Sequence, residues 1–200
     1  MSEGYIKFDS DWIKDKPLDE NKLTKLIEWR QRLHRLKLIG IYPNGWGYGN
    51  VSSRVKDTTQ FIISGSSTGG LKELTNEHFT LVTKVEIDKN FLTCKGPIIA
   101  SAESFTHAAI YQASKEAKAV IHFHNKQMWK DLMDKVPTTK KDVPYGSPEM
   151  FEEIFRLFKE TDVAEKKIIC MAGHEEGLIV FGKDLDEAGE VLLRYFNEKK

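Results

Sequence analysis

The sequence has few cysteines and no excess of charge of either sign. Its two cysteines, Cys94 and Cys170, lie in separate apolar segments without CxxC spacing. This argues against a disulfide framework and a cysteine-based zinc site, and predicts two buried free thiols. The 30 basic and 30 acidic side chains are interleaved and give a formal net charge of zero. Because a nucleic-acid-binding protein typically has a basic patch, we expect no nucleic-acid partner.

Long hydrophobic runs are also absent. No apolar run approaches the roughly 18 residues that a membrane span needs, and the N-terminal segment MSEGYIKFDSDWIK lacks the apolar stretch of a secretory signal. We therefore expect no membrane partner and a cytoplasmic location. A hydrophobic content of 40% over 200 residues is enough for one globular domain with a sizeable core. We assign this single domain to residues 19–200 and an N-terminal extension to residues 1–18.

Helical and strand patterns are mixed along the whole chain. Apolar spacing and capping signals predict helices at 19–39, 102–115, from Ser147 onward, and at 184–197. In the third of these, Ser147 and Pro148 are typical of a helix start, and the apolar stripe consists of Phe151, Ile154, Phe155 and Phe158. Strands are predicted at 51–55, 60–64, 79–87, 118–124, 167–171 and 177–181. This alternation predicts an α/β fold, with a sheet covered on its faces by helices.

Two histidines interrupt the otherwise apolar strand AKAVIHFHN. Successive side chains of a strand point to opposite faces, so His122 and His124 share one face while Ile121 and Phe123 lie on the other. Imidazole nitrogens are common zinc ligands, and an open catalytic site uses three protein ligands. His174, in the turn segment MAGHEEG, is a candidate for the third. The alternative is that these are ordinary hydrogen-bonded histidines.

The segment SAESFTHAAIYQAS places a carboxylate at the start of a predicted helix. Ser101 can cap this helix, Glu103 lies in its first turn, and His107 and Tyr111 follow on the same face. A carboxylate in a first turn also stabilises the helix dipole, by about 0.3–1 kcal/mol, without any catalytic role. We interpret His107 as a packed helix histidine. The residues by themselves leave the role of Glu103 open.

Five motifs occur in an order that resembles one known family. They are GNVSSR (49–54), IISG (62–65), SAESFTHAAIY (101–111), AVIHFH (119–124) and GHEEGLIVFG (173–182). Over roughly residues 20–197 the chain resembles the class II aldolase and adducin family, whose sugar-phosphate aldolases include the L-fuculose-1-phosphate type. The resemblance implies a three-layer α/β/α sandwich with a central mixed or largely antiparallel sheet. It also implies a homo-oligomer, a tetramer, with active sites at subunit interfaces.

The resemblance implies a metal site and a catalytic carboxylate. His122, His124 and His174 fall where the family binds a divalent ion, for which we expect zinc. Glu103 falls where the family keeps its acid/base carboxylate, which is sometimes itself on the metal. The phosphate or substrate-anion pocket of the family falls on Asn50, Ser64, Gly65 and Ser101.

The chain departs from the family pattern at this pocket. Family aldolases typically read TPSG and SSE where this chain has IISG and SAE, so Ala102 replaces a hydroxyl. The hydroxyls of Ser66, Ser67 and Thr68, with the glycine backbone beside them, could compensate. The substrate is therefore expected to be a small sugar or a sugar phosphate.

A second departure is the acidic pair in GHEEG. The family often has glycine and apolar residues after the histidine, whereas this chain has Glu175 and Glu176. We interpret both as solvated turn charges, and the alternative is that they recognise a different substrate.

Together these residues predict a divalent-metal-dependent lyase of the aldolase type. Metal bound to the carbonyl and adjacent hydroxyl of a ketose or ketose phosphate would stabilise the enediolate left by C–C cleavage. Glu103 would transfer the proton, with its pKa raised toward neutrality by burial. Tyr145 is the candidate donor to the leaving aldehyde, with Tyr42, Tyr48 and Tyr195 as alternatives.

The same fold and metal site would also suit other functions. One alternative is a metal-dependent pentulose-phosphate 4-epimerase, dehydratase or decarboxylase. A second is a non-catalytic, adducin-like binding or assembly domain.

Overall fold

An eight-stranded mixed sheet forms the centre of the fold in the computed structural model, which describes residues 6–197. Its strands are β1 (Asp9–Lys14), β4 (Asn50–Arg54), β5 (Phe61–Ser64), β6 (Phe79–Glu86), β7 (Phe91–Gly96), β8 (Ala119–His124), β9 (Ile168–Cys170) and β10 (Gly177–Gly182). They lie in the order β1-β7-β6-β5-β4-β8-β10-β9. The β1–β7 pair is parallel, and every other neighbouring pair is antiparallel. Two short strands, β2 (Gly40–Ile41) and β3 (Gly47–Tyr48), form a separate hairpin.

Helices cover both faces of this sheet. They are α1 (Thr24–Arg35), α2 (Ser104–Ala113), α3 (Lys126–Leu132), α4 (Pro148–Glu160), α5 (Val163–Lys166) and α6 (Leu185–Asn197). Helices α2 and α4 pack on one hydrophobic cluster, and α1, α3 and α6 on the other. Neighbouring residues of β8 fall in different clusters, with Val120 in the first and Ile121 in the second, because a strand alternates its side chains. The predicted α/β/α sandwich with a largely antiparallel sheet is therefore confirmed.

The N-terminal region contributes a strand that the sequence pattern did not predict. Residues 9–14, within the predicted extension, form β1 and pair in parallel with β7. Residues 1–5 of that extension, and residues 198–200 of the predicted domain, lie outside the described residues. The boundary at residue 18 stays a prediction.

The first predicted helix is shorter than its apolar pattern. A 3₁₀ turn at Glu20–Lys22 precedes α1, which ends at Arg35 instead of continuing to residue 39. Lys37 adopts a left-handed conformation (φ 59°), and the N–H of Leu38 bonds to the carbonyl of Leu33 in the closing turn. Leu38 and Ile39 precede β2 and are buried in the second hydrophobic cluster, and the carbonyl of Leu38 accepts a hydrogen bond from the N–H of His124.

The predicted start of α4 is confirmed, but one residue of its apolar stripe is exposed and another, Phe158, is only partly buried. The Ser147 hydroxyl accepts a hydrogen bond from the Met150 N–H, as a capping residue does. Phe151 and Ile154 are buried, whereas Phe155 is 40% exposed. The side chains of Met150 and Leu157 complete the buried face instead.

Both cysteines are buried free thiols, as predicted. Within residues 6–197, no helix combines the length and the apolar composition needed to span a membrane.

Candidate metal centre and substrate cleft

The three predicted metal ligands converge at one end of the sheet. His122 and His124 project from the same face of β8, and His174 lies in the turn between β9 and β10. Strand β10 pairs with β8 so that Gly177 is opposite His124, which brings this turn beside the two strand histidines. One ligand atom from each histidine lies within 4.8 Å of the other two, and all three side chains are buried. The predicted convergence is therefore observed.

The chemistry of this cluster fits a divalent metal ion. Burial lowers the pKa of His122 to about 4 and holds the pKa of His124 well below its usual value, so both rings are neutral at neutral pH. Neutral imidazole is the form that binds a metal. The Nε2 atom of His122 is buried and has no hydrogen-bond partner among the described residues. Such an atom is costly to bury unless a ligand occupies it, and a metal ion would be one.

Glu103 lies against this cluster, at the N-cap position of α2 rather than in its first turn. Its Oε1 atom is 3.2 Å from Nδ1 of His174, and its Oε2 atom accepts a hydrogen bond from the Thr106 hydroxyl at 2.7 Å. The side chain makes no capping bond to the helix backbone. Ser101 accepts a bond from the Glu103 N–H, so it fixes the turn that precedes α2.

The predicted rise in the pKa of Glu103 is wrong. Burial acts to raise this pKa, but attraction to His122 and His174, which carry a positive charge once protonated in acid, together with hydrogen bonds from His174 and Thr106, outweighs burial and lowers it to about 2. The carboxylate is therefore ionised at neutral pH. In this form it is ready to accept a proton, not to donate one.

A cleft opens beside the histidines and Glu103. Of the four residues predicted for anion binding, Asn50, Gly65 and Ser101 line it, and the amide of Asn50 donates to the Ser101 hydroxyl at 3.1 Å. Ser64 does not line the cleft. Its buried hydroxyl accepts a hydrogen bond from the Val51 N–H and so joins β5 to β4.

The loop Ser66–Gly69 forms one wall of the cleft, and Arg30 holds this loop from behind. The Arg30 guanidinium is buried and donates to the carbonyls of Thr68 and Gly69 at 2.7 and 2.8 Å, and to that of Leu71. Burial lowers the pKa of Arg30 to about 10, which leaves it charged. Sequence reasoning missed this residue, although an arginine within the apolar stripe of α1 was a usable signal.

Glycine is required at one position of this loop. A Cβ atom on Gly69 would collide with the carbonyl oxygen of Gly40, so the loop can pack against the β2–β3 hairpin only without a side chain there. Ser67 adopts a left-handed conformation (φ 61°). The Thr68 hydroxyl donates to the Gly65 carbonyl and therefore braces the loop itself.

Of the four candidate tyrosines, Tyr42, Tyr48 and Tyr145 lie against the histidines, and the predicted donor Tyr145 contacts His174. The Tyr145 ring stacks on His174 with centroids 4.4 Å apart, and it lines the cleft. Lys7 donates to the Tyr145 carbonyl, and its Nζ atom lies 3.3 Å from the ring centre. Tyr48 also lines the cleft, the Tyr42 hydroxyl bonds to a histidine, and Tyr195 packs on the opposite face of the sheet.

His107 is a packed histidine, as interpreted from the sequence. It is fully buried, and its Nδ1 atom lies 2.6 Å from the Ser52 hydroxyl, which lies 2.6 Å from the Tyr111 hydroxyl. The predicted common face of His107 and Tyr111 is confirmed by this shared partner. His107 does not line the cleft.

We predict that His107 makes the protein less stable in acid. Burial lowers its pKa from 6.5 to about 3, so between these values the folded state binds fewer protons than the unfolded state and loses stability as pH falls. From about pH 7 to about pH 5 this one group should remove about 2 kcal/mol of unfolding free energy. The variant His107→Gln keeps a polar group for Ser52 but has no imidazole to titrate. Its unfolding free energy should therefore fall by about 2 kcal/mol less than that of the wild type over the same pH range. Denaturant unfolding at both pH values measures it, and an unchanged pH dependence would contradict the prediction.

Solved structures that share this architecture include two aldolases. An L-fuculose 1-phosphate aldolase superposes with a TM-score of 0.68, at 16% identity, over 91% of this chain and 84% of that one. A sugar-phosphate aldolase from Thermotoga maritima gives a TM-score of 0.60, at 15% identity, over 90% and 98%. At such identities the likeness establishes the fold.

The family is established by the sequence itself. The model of the class II aldolase and adducin N-terminal domain matches residues 43–195, and the chain belongs to this family. The resemblance drawn from the five motifs is confirmed. Methylthioribulose-1-phosphate dehydratase from Leptospira interrogans is 35% identical over 105 residues, which span 48% of this chain and 41% of that protein. The match thus covers less than half of that relative's length.

Proposed function

We propose that the protein is a divalent-metal-dependent lyase that cleaves or forms a C–C bond in a ketose or ketose phosphate. One observation carries the proposal. The ligand atoms of His122, His124 and His174 lie within 4.8 Å of one another, and the buried carboxylate of Glu103 lies 3.2 Å from His174. Metal ligands and an ionised base are thus adjacent, beside a cleft that opens to a substrate.

The residues of the site divide the chemistry between them. The three histidines would hold the metal through neutral ring nitrogens, and the bound ion would supply a Lewis acid for the carbonyl and adjacent hydroxyl oxygens of the ketose. Glu103, ionised and desolvated, would take or return the proton on the neighbouring carbon. Tyr145, stacked on His174 at the wall of the cleft, would accept the proton of the hydroxyl that becomes the aldehyde during cleavage, and would donate it back to that oxygen when the C–C bond forms.

Substrate anion binding is assigned to the polar residues that line the cleft beside the metal ligands. Asn50, Ser101 and Gly65 would contact a phosphate, with the hydroxyls of Ser66 and Ser67 replacing the one lost at Ala102. All of these residues line the cleft. In this proposal Ser64 contributes indirectly, because it holds β4 and β5 together behind Gly65.

Buried ionisable groups argue against a purely structural, adducin-like role. Glu103 and the three histidines are all buried, and burying such groups costs free energy unless a partner or ligand compensates. A scaffold gains nothing from this cost, whereas a metal-dependent catalyst needs these groups.

The family supports three further parts of the proposal. We expect zinc as the ion, a cytoplasmic location, and assembly into a homotetramer with the sites near subunit contacts. Exposed apolar side chains on the hairpin and the adjoining loop, Ile41, Trp46 and Leu71, support an interface close to the cleft.

Dehydration is the second candidate reaction. The 35% identity with part of a methylthioribulose-1-phosphate dehydratase favours it, and here Glu103 would remove a proton from the carbon beside the carbonyl before a C–O bond breaks and water leaves. In aldol cleavage the C–C bond breaks first, and the same carbon is then protonated through Glu103.

Mass spectrometry of the products separates the two reactions. The zinc-loaded protein is incubated with a panel of ketoses and ketose 1-phosphates, with chelator-stripped protein as the control. We expect two fragments from C–C cleavage, whereas dehydration gives one product lighter by one water molecule. If zinc-loaded and stripped protein both leave the whole panel unchanged, the proposal of a ketose lyase is wrong.

A further inference from the structure

A tyrosine joins His124 to one of the two glutamates of the GHEEG segment. The Tyr42 hydroxyl lies 2.8 Å from Nδ1 of His124, and it donates to Oε2 of Glu176 at 2.8 Å. The three residues come from the β2–β3 turn, the end of β8 and the turn between β9 and β10. This contact therefore ties three separate segments together beside the metal site.

The direction of these bonds fixes the proton on His124. A hydroxyl has one hydrogen, and here it points to Glu176, so the Tyr42 oxygen accepts from the Nδ1–H of His124. A neutral imidazole with its proton on Nδ1 presents its lone pair on Nε2. We propose that Tyr42 and Glu176 are positioning residues that set the tautomer and the orientation of His124 for metal binding.

The backbone around Glu176 is fixed next to the end of β8, the strand that carries His124. Glu176 is in the left-handed region (φ 69°), which is unfavourable for a residue with a side chain and persists only where the surroundings require it. Its carbonyl accepts a hydrogen bond from the N–H of Asn125, the residue that follows His124. The Asn125 side chain in turn caps α3.

The ring of Tyr42 is also held in place. The ring packs against Tyr48 with ring centroids 4.5 Å apart. The backbone N–H of Tyr42 donates to the Trp46 carbonyl within the hairpin turn. The hydroxyl can therefore reach His124 without a large loss of side-chain freedom.

The two glutamates of GHEEG differ in their surroundings, although the sequence suggested the same reading for both. The Glu175 side chain is 63% exposed and its nearest cation is Lys126, as expected of a solvated turn charge. The Glu176 side chain is 21% exposed and bonds to Tyr42. Lys126 lies 3.7 Å from Glu176, so the same lysine contacts both glutamates.

This inference rests on the metal site of the proposed function, and zinc affinity tests it without an assay of activity. Tyr42→Phe and Glu176→Ala, which both remove the bond between the two side chains, should each bind zinc about 10- to 100-fold more weakly in chelator competition, the usual cost of losing such a partner of a ligand. Glu175→Ala is the matched control and should bind zinc like the wild type. In this inference Glu176 acts on His124 through the Tyr42 hydroxyl. The double variant should therefore bind zinc no more weakly than Tyr42→Phe alone.

A role confined to stability would give a different result. Tyr42→Phe and Glu176→Ala would then lower the unfolding free energy of the protein but keep wild-type zinc affinity and an unchanged cobalt(II) absorption spectrum, and the inference would be wrong. If Tyr42→Phe does not fold, Glu176→Ala carries the same test. A wild-type protein that binds no divalent ion would overturn the proposed function, and this inference with it.

Discussion

Glu103→Gln is expected to slow turnover by about 10²- to 10⁴-fold while leaving the fold intact, since this is the usual cost of losing a positioned acid or base. The amide can still accept the hydrogen bond from Thr106, so local packing should persist. An amide cannot take up the substrate proton, which is the role proposed for Glu103. If the carboxylate served only the helix dipole, the change would cost at most about 1 kcal/mol of stability and no activity.

The design of this test follows from the contact with His174. Because Glu103 lies 3.2 Å from that histidine, metal content must be measured beside the rate. Exchange of the product ketone's α-proton with solvent deuterium isolates the assigned half-reaction. Glu149→Gln is the control, because Glu149 is an exposed carboxylate in the first turn of α4. A Glu103→Gln protein that keeps its metal and exchanges this proton at the wild-type rate would exclude the role.

His174→Ala should remove most of the bound metal. Removing a residue that hydrogen-bonds to a metal ligand typically lowers the metal affinity about 10- to 100-fold. Removing the ligand itself should therefore lower the metal affinity more than about 100-fold. The remaining pair, His122 and His124, comes from a single strand and leaves the side facing Glu103 without a donor nitrogen. Purified protein should then contain far less than one ion per chain.

Metal analysis after purification and zinc titration both measure this loss. His34→Ala is the control, because His34 lies on α1, which packs on the other face of the sheet. The variant must be checked for folding, since the His174 ring also supports the ring of Tyr145. Full stoichiometric metal in folded His174→Ala would show that the three histidines do not form the site.

Strand alternation made the central part of the site predictable. The HxH spacing fixed which face His122 and His124 share, and the turn after a strand located His174. The helical spacing of Glu103, His107 and Tyr111 likewise placed them along one side of α2. These predictions depend on local geometry with a fixed period, which the sequence shows directly.

Contacts between distant segments were not predictable in the same way. Strand β1 has a mostly exposed, polar sequence and is recognised only by its pairing with β7. The pKa of Glu103 depends on two histidines that reach it from other elements, and the bond from Tyr42 to Glu176 crosses 134 positions of the chain. The sequence contains these residues but no periodic signal that joins them.

The hydrogen bonds from Arg30 to the loop Ser66–Gly69 affect how tightly the cleft can bind a ligand. A glycine-rich loop would ordinarily lose much conformational entropy when a ligand immobilises it, and that loss weakens binding. Here the buried guanidinium already fixes the carbonyls of Thr68 and Gly69, so the entropy is lost once, during folding. Opening the loop would leave a buried cation without its acceptors, which is a costly state. The cleft wall is therefore preorganised, and most of the free energy of its contacts remains available as affinity.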